Sequence, residues 1–128
     1  MSLLWTNPDT DRNRIATRFV FETRIRVLLP RNGCPAHALG WTRDLSESGV
    51  CAFVADPLIL DEEAVLEIQL GADSAWETIP AKVVRSRGTE YGFQFTALSP
   101  QQRALIQLAV KGKEAIPYRL KSGSTSGR

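Results

Sequence analysis

The 128-residue sequence predicts an all-β dominated domain, a small six-stranded antiparallel barrel with one α-helix at its C-terminal end. Three observations carry this expectation. Apolar and polar residues alternate in several short stretches, the period-two pattern of half-buried strands. Turn residues separate these stretches at the short spacing of barrels. Near the end, a capping signal precedes an apolar stripe at helical spacing.

Met1 to Asp11 has no periodicity and ends in the turn signal Asn7-Pro-Asp-Thr-Asp11, which predicts an irregular arm over residues 1–11. In Thr23 to Leu29, Ile25, Val27 and Leu29 alternate with Arg24 and Arg26, the first strand, and Pro30-Arg-Asn-Gly33 reads as a turn. Ala38 to Arg43 is the second strand, Val50 to Val54 the third, and Leu66, Ile68 and Leu70 mark the fourth. Ile79, Ala81 and Val83 mark the fifth, where Pro80 suggests an edge or a first position because it cannot donate to a ladder. After a turn at Arg87-Gly88, Tyr91, Phe93 and Phe95 share one face of a sixth strand.

Ser99 suits a helix N-cap, Pro100 the first helical position, and Gln102 completes an S-x-x-Q capping box. Leu105, Leu108 and Ala109 form an apolar stripe expected to cover an opening of the barrel; Lys111 favours the negative end of the dipole and Gly112 stops the helix. From Lys113 the chain turns polar, and residues 113–128 read as a flexible tail. The domain proper is thus expected over residues 12–112.

Hydrophobic residues at 43% and charged ones at 23% place the chain in the globular class, long enough to bury a core without metal or disulfide staples. Its longest apolar runs fall short of the roughly 20 residues that cross a bilayer, and no basic region followed by a hydrophobic core opens it. Neither insertion nor secretion is indicated, and Cys34 and Cys51 are expected as reduced thiols. With one histidine and no C-x-x-C, no metal site is expected.

The net charge of +2 hides a segregation. Residues 12–31 hold six arginines against Glu22, residues 44–77 hold nine acidic residues and no base, and residues 78–128 hold nine bases against two acids. Solvated faces account for most such charge. Arginines without a lysine nevertheless favour directional hydrogen bonding in the first segment, and the acidic middle argues against wrapping DNA or another long polyanion.

Two polar clusters carry the chemistry. Arg14-Ile-Ala-Thr-Arg18 sets two guanidinium forks four residues apart, suited to phosphate oxygens and to the O6/N7 edge of guanine. Asp44-Leu-Ser46-Glu-Ser-Gly49 supplies a carboxylate acceptor, a hydroxyl, and a glycine. Each also has a plainer reading: arginine is mostly exposed anyway, and Asp and Ser form turns through their own backbone. Gly49 is expected to serve a positive φ and to leave the ligand room. A ligand answering both clusters is anionic and offers a donor edge, as a guanine nucleotide does.

R-x-x-x-R followed by D-x-S-x-x-G resembles the signature of the PilZ domain family, and the similarity extends through Glu90-Tyr-Gly-Phe-Gln-Phe95 and the following helix. The resemblance implies a PilZ-type barrel and a bacterial receptor for the second messenger cyclic di-GMP, with Arg14, Arg18, Asp44, Ser46 and Gly49 as its ligand residues. It implies further that the arginine segment orders when ligand arrives, and that a downstream protein reads the change to control motility, biofilm or exopolysaccharide. In the family, the residue before R-x-x-x-R bears on whether one or two ligands bind; here it is Asn13, which leaves the stoichiometry open.

Arg12 and Arg43 border the signature and are candidates for further phosphate contacts. Trp41 offers a ring for a base to stack on, although a strand tryptophan is more often core. His37 reads as a solvent-facing histidine without a partner. No catalytic reading stands: Ser46 has no histidine near in sequence, and the cysteines have no activating partner. The expectation is a cytoplasmic, non-enzymatic receptor without cofactor, monomeric or homodimeric, binding cyclic di-GMP and a protein partner. Two alternatives stay open: an interaction module of the same fold that binds no nucleotide, and a barrel that binds single-stranded nucleic acid.

Overall fold

Alternation is what the strands obey. In the computed structural model, which describes residues 17–31, 34–71 and 75–116, Ile25, Val27 and Leu29 are buried while Arg24 and Arg26 face outward. The elements in chain order are β1 Arg18–Val20, β2 Arg24–Leu29, β3 Ala36–Leu45, β4 Gly49–Val54, β5 Glu63–Gln69, β6 Trp76–Arg87, β7 Glu90–Phe95, α1 Pro100–Val110 and β8 Ala115–Ile116.

Strands β2, β5, β6, β7, β4 and β3 are hydrogen-bonded in that order, and β2 also pairs with β3, so six antiparallel strands close into the expected barrel. Its interior is one apolar cluster that includes Val27, Leu45, Val54, Leu66, Ile79, Val83 and Phe93. Leu66, Ile79 and Val83 are fully excluded from solvent. Burying a side chain of this kind contributes about 1.5–3 kcal/mol.

Two short strands extend the barrel wall. β1 pairs with β3 through Phe19↔Leu45 and Val20↔Asp44, and β8 pairs with β1 through Arg18↔Ile116 and Phe19↔Ala115. The stretch from Lys113, expected as tail, therefore carries a strand through Ile116. Three and two residues are too short to show periodicity, so neither strand was legible by alternation.

The helix begins as its capping box requires: the Ser99 hydroxyl accepts from the Gln102 N–H at 3.0 Å, and the Gln102 amide accepts from the Ser99 N–H at 3.2 Å. Its buried face, however, is Ile106 and Val110, flanked by Leu105 and Ala109. Leu108 is 67% exposed, because it lies two residues from Ile106 and hence nearly opposite it on a 3.6-residue turn. Gly112 follows the helix with φ 81°, a conformation that suits glycine.

Pro80 sits inside β6 rather than at an edge or a first position. Its carbonyl accepts from Thr96 N–H at 2.9 Å, one residue beyond the last β6–β7 pair, Ala81↔Phe95. The two backbone polar groups of a strand residue point to the same side, so the missing N–H faces the end of a neighbouring ladder and orphans no carbonyl.

Candidate functional site

The β1–β3 pairing decides where the two signature clusters meet. Val20↔Asp44 places Arg18, two residues back on β1, within reach of the Asp44 carboxylate. Arg18 Nε donates to Asp44 Oδ1 at 3.0 Å and its Nη2 to Oδ2 at 3.2 Å, a bidentate fork. The Asp44 side chain is 2% exposed against 40% for Arg18, so a buried carboxylate is capped by a half-exposed guanidinium. Arg43 Nε adds a second positive charge 3.9 Å from Asp44 Oδ2.

Ser46 is buried and its hydroxyl serves the turn. Its Oγ accepts from the N–H groups of Ser48 at 3.1 Å and Gly49 at 3.2 Å, and lies 2.9 Å from Ser48 Oγ. Ser46 N–H donates to Gly49 O at 2.9 Å and closes the hairpin. The expected positive φ at Gly49 is not found, since among described glycines only Gly88 and Gly112 have one. A Cβ at Gly49 would instead stand 2.1 Å from the Phe93 carbonyl oxygen. Glycine is required there because the β7 backbone passes against it.

Beside this centre lies a network that sequence reasoning missed. Asp44↔Cys51↔Gly92↔Arg85 is a row of partners across β3, β4, β7 and β6. The Cys51 thiol lies 3.1 Å from Glu90 Oε2 and 3.7 Å from Arg85 Nη2, while Arg43 pairs with the same Glu90 oxygen. Burial first, then the hydrogen bond to Glu90 and the negative field of Asp44, push the Cys51 thiol up to about 11. The Glu90 carboxyl is held below the usual carboxylate range, first by the Cys51 hydrogen bond and then by Arg43, against an opposing effect of burial. The only signal for Cys51 was its place two residues beyond Gly49, and that becomes informative once the register with Asp44 is known.

Trp41 was expected in the core more readily than at a binding surface. It is 55% exposed, because Ala38 and Thr42 take the inward phase of β3 and leave Leu39, Trp41 and Arg43 outward. The structure thus brings Arg18, Arg43, Asp44, Ser46 and Gly49 together, with Trp41 further along the same outer face. Arg12, Asn13 and Arg14 lie outside the described residues.

A groove of about 560 Å³ opens on the other side of Ser46, between β1 and the C-terminal half of α1, lined among others by Thr17, Phe19, Ile106 and Val110. The helix is tied to the Ser46–Gly49 turn where Gln107 Nε2 and Arg103 Nη1 donate to Glu47 at 2.8 and 3.4 Å. Among the described residues no three His, Cys, Asp or Glu side chains group as metal ligands. No helix among them is long and apolar enough to cross a membrane.

A closed six-stranded barrel with a single C-terminal helix capping its core is a PilZ-type fold. The PilZ domain family model matches residues 12–112, and the chain belongs to that family. Among solved structures, it is similar to the PilZ domain of CeSA from a cellulose-synthesizing bacterium, at 22% identity and TM-score 0.57, covering 74% of this chain and 95% of that one. It is likewise similar to the PilZ domain of YcgR from Escherichia coli with cyclic di-GMP, at 16% identity and TM-score 0.63, covering 78% and 90%. The Bacillus subtilis inhibitor of motility, MotI, matches at 16% identity and TM-score 0.57, covering 83% of this chain and 56% of that one. No curated protein matches the sequence.

Proposed function

We propose that this protein is a cytoplasmic receptor for cyclic di-GMP that passes a change of shape to a partner protein, and that it is not an enzyme. The observation that carries the reading is the meeting of Arg18 with Asp44 beside the Ser46 turn, in a family that includes a domain solved with this ligand. A guanidinium fork answers phosphate oxygens and the guanine O6/N7 edge; a carboxylate answers the guanine N1–H and N2–H₂.

In this reading Arg14 and Arg18 hold phosphates and a guanine edge, Asp44 and Ser46 fix a guanine from the barrel side, and Gly49 leaves the backbone clear. Arg12, Asn13 and Arg43 border the ligand. Arg18 and Asp44 are hydrogen-bonded to one another, so a ligand must replace or share those two hydrogen bonds. Ordering the arginine segment costs on the order of 1 kcal/mol per residue, which the charge-assisted bonds must exceed. The signal is the rearrangement of that segment, read by a downstream protein in the control of motility, biofilm or exopolysaccharide.

Calorimetric titration tests this. The expected result is micromolar or tighter binding, about −8 kcal/mol at one micromolar. Replacing Arg18 or Asp44 singly by Ala removes a charge-assisted pair worth roughly 1.5–3 kcal/mol, hence about tenfold or more in affinity. Undiminished affinity in the Arg18→Ala protein overturns the assignment of that residue, and the absence of any binding heat overturns the receptor reading in favour of an idle interaction module.

A further inference from the structure

The outer wall of the barrel carries a second feature, one row from Asp44. Arg24↔Trp41↔Phe53↔Glu90↔Arg87 are successive partners across β2, β3, β4, β7 and β6, so their side chains stand in line on one face. Trp41 and Phe53 are 55% and 46% exposed, and Leu39, two residues before Trp41 on the same face, is 68% exposed. Such contiguous apolar residues on an outer wall mark a place of contact.

Charge says what kind of contact. Arg26 is paired with Glu67 at 3.0 Å and Arg43 with Glu90, which neutralises two of the five arginines on and beside the apolar row; Arg85, one row away, lies 3.7 Å from the Cys51 thiol. Arg24, whose guanidinium lies 5.9 Å from the Trp41 ring, and Arg87, at the far end of the row, have no ion-pair partner among the described residues. The face is therefore an apolar centre of Leu39, Trp41 and Phe53 with one uncompensated cation at each end.

We propose that this face docks a partner protein through apolar side chains flanked by carboxylates that meet Arg24 and Arg87. Tryptophan and arginine are the residue types that dominate binding energy at protein interfaces when a partner buries them. A single-stranded polyanion fits less well: three cations without a carboxylate partner among the described residues, Arg24, Arg85 and Arg87, give few phosphate contacts, and Leu39 offers no ring for a base. A second copy also fits less well, because a two-fold axis through the centre of the row sets Arg24 of one chain against Arg87 of the other.

The test is selection of a phage-displayed random peptide library against the immobilised full-length protein, followed by affinity measurement with the enriched peptides made synthetically. Peptides rich in apolar residues and Asp or Glu are expected, binding at least tenfold more weakly to the Trp41→Ser/Phe53→Ser double variant and undiminished to a Leu108→Ser control on the exposed side of α1. All three replaced positions are exposed, and an unchanged thermal midpoint verifies that each variant is folded. Four outcomes overturn the proposal: no enrichment, peptides that bind the double variant equally, peptides that reproduce residues 1–16 of the chain itself, or peptides without acidic residues. So does binding of oligo(dT) or oligo(U), or self-association in sedimentation, if the double variant abolishes it.

Discussion

At the scale of single residues, Gly49 and Cys51 show how much of this wall is decided by close neighbours. Alanine at Gly49 would place its Cβ 2.1 Å from a backbone oxygen of β7, which cannot rotate away as a side chain would. Gly49→Ala is expected to destabilise by about 1–3 kcal/mol, read as a thermal midpoint lower by roughly 4 °C or more. Cys51 makes a pH prediction. Its thiol ionises near 9.0 when unfolded and at about 11 when folded, so between those values the folded chain holds the proton that the unfolded chain has lost. Stability due to this group is complete below pH 9 and falls as pH rises toward 11, by on the order of 2 kcal/mol. Thermal melts from pH 8 to 11 are expected to show a shallower alkaline decline in Cys51→Ala than in the parent.

Among the elements, α1 separates what sequence reading can find from what it cannot. Its ends were legible because a cap is local chemistry: Ser99, Pro100 and Gln102 satisfy the first turn whatever the helix packs against. Its buried face was not, because Leu105, Leu108 and Ala109 form as good a stripe as Ile106 and Val110 until the barrel selects one. Ile106→Ala is expected to cost about 2–5 kcal/mol and Leu108→Ala less than about 0.5 kcal/mol in denaturant titrations. The same limit explains Trp41, where the alternation of β3 was visible but its inward phase was decided by the neighbouring strands. It also explains the site. Arg18 and Asp44 were identifiable as candidates from residue type and motif, whereas their contact depends on the β1–β3 register, which no local pattern encodes.

For the whole molecule, the governing fact is that six strands close on one apolar interior, with β1, β8 and α1 fastened to it. No strand of the ring can leave without opening two ladders and the common core. Unfolding of the described barrel is accordingly expected to be a single transition, with far-ultraviolet circular dichroism and tryptophan fluorescence giving coincident midpoints. Two separated midpoints would show that the wall and the core part independently. The pairing of β1 with β8 has a practical corollary. Val20 N–H donates to the Glu114 carbonyl at 2.8 Å, and Arg18 faces Ile116, so the strand bearing the candidate ligand arginine is sewn to the chain only a few residues beyond the helix. Cargo fused just after Ile116 would tug on Arg18 itself, and a reporter attached there would serve both as a sensor of that arginine and as a disturbance to it.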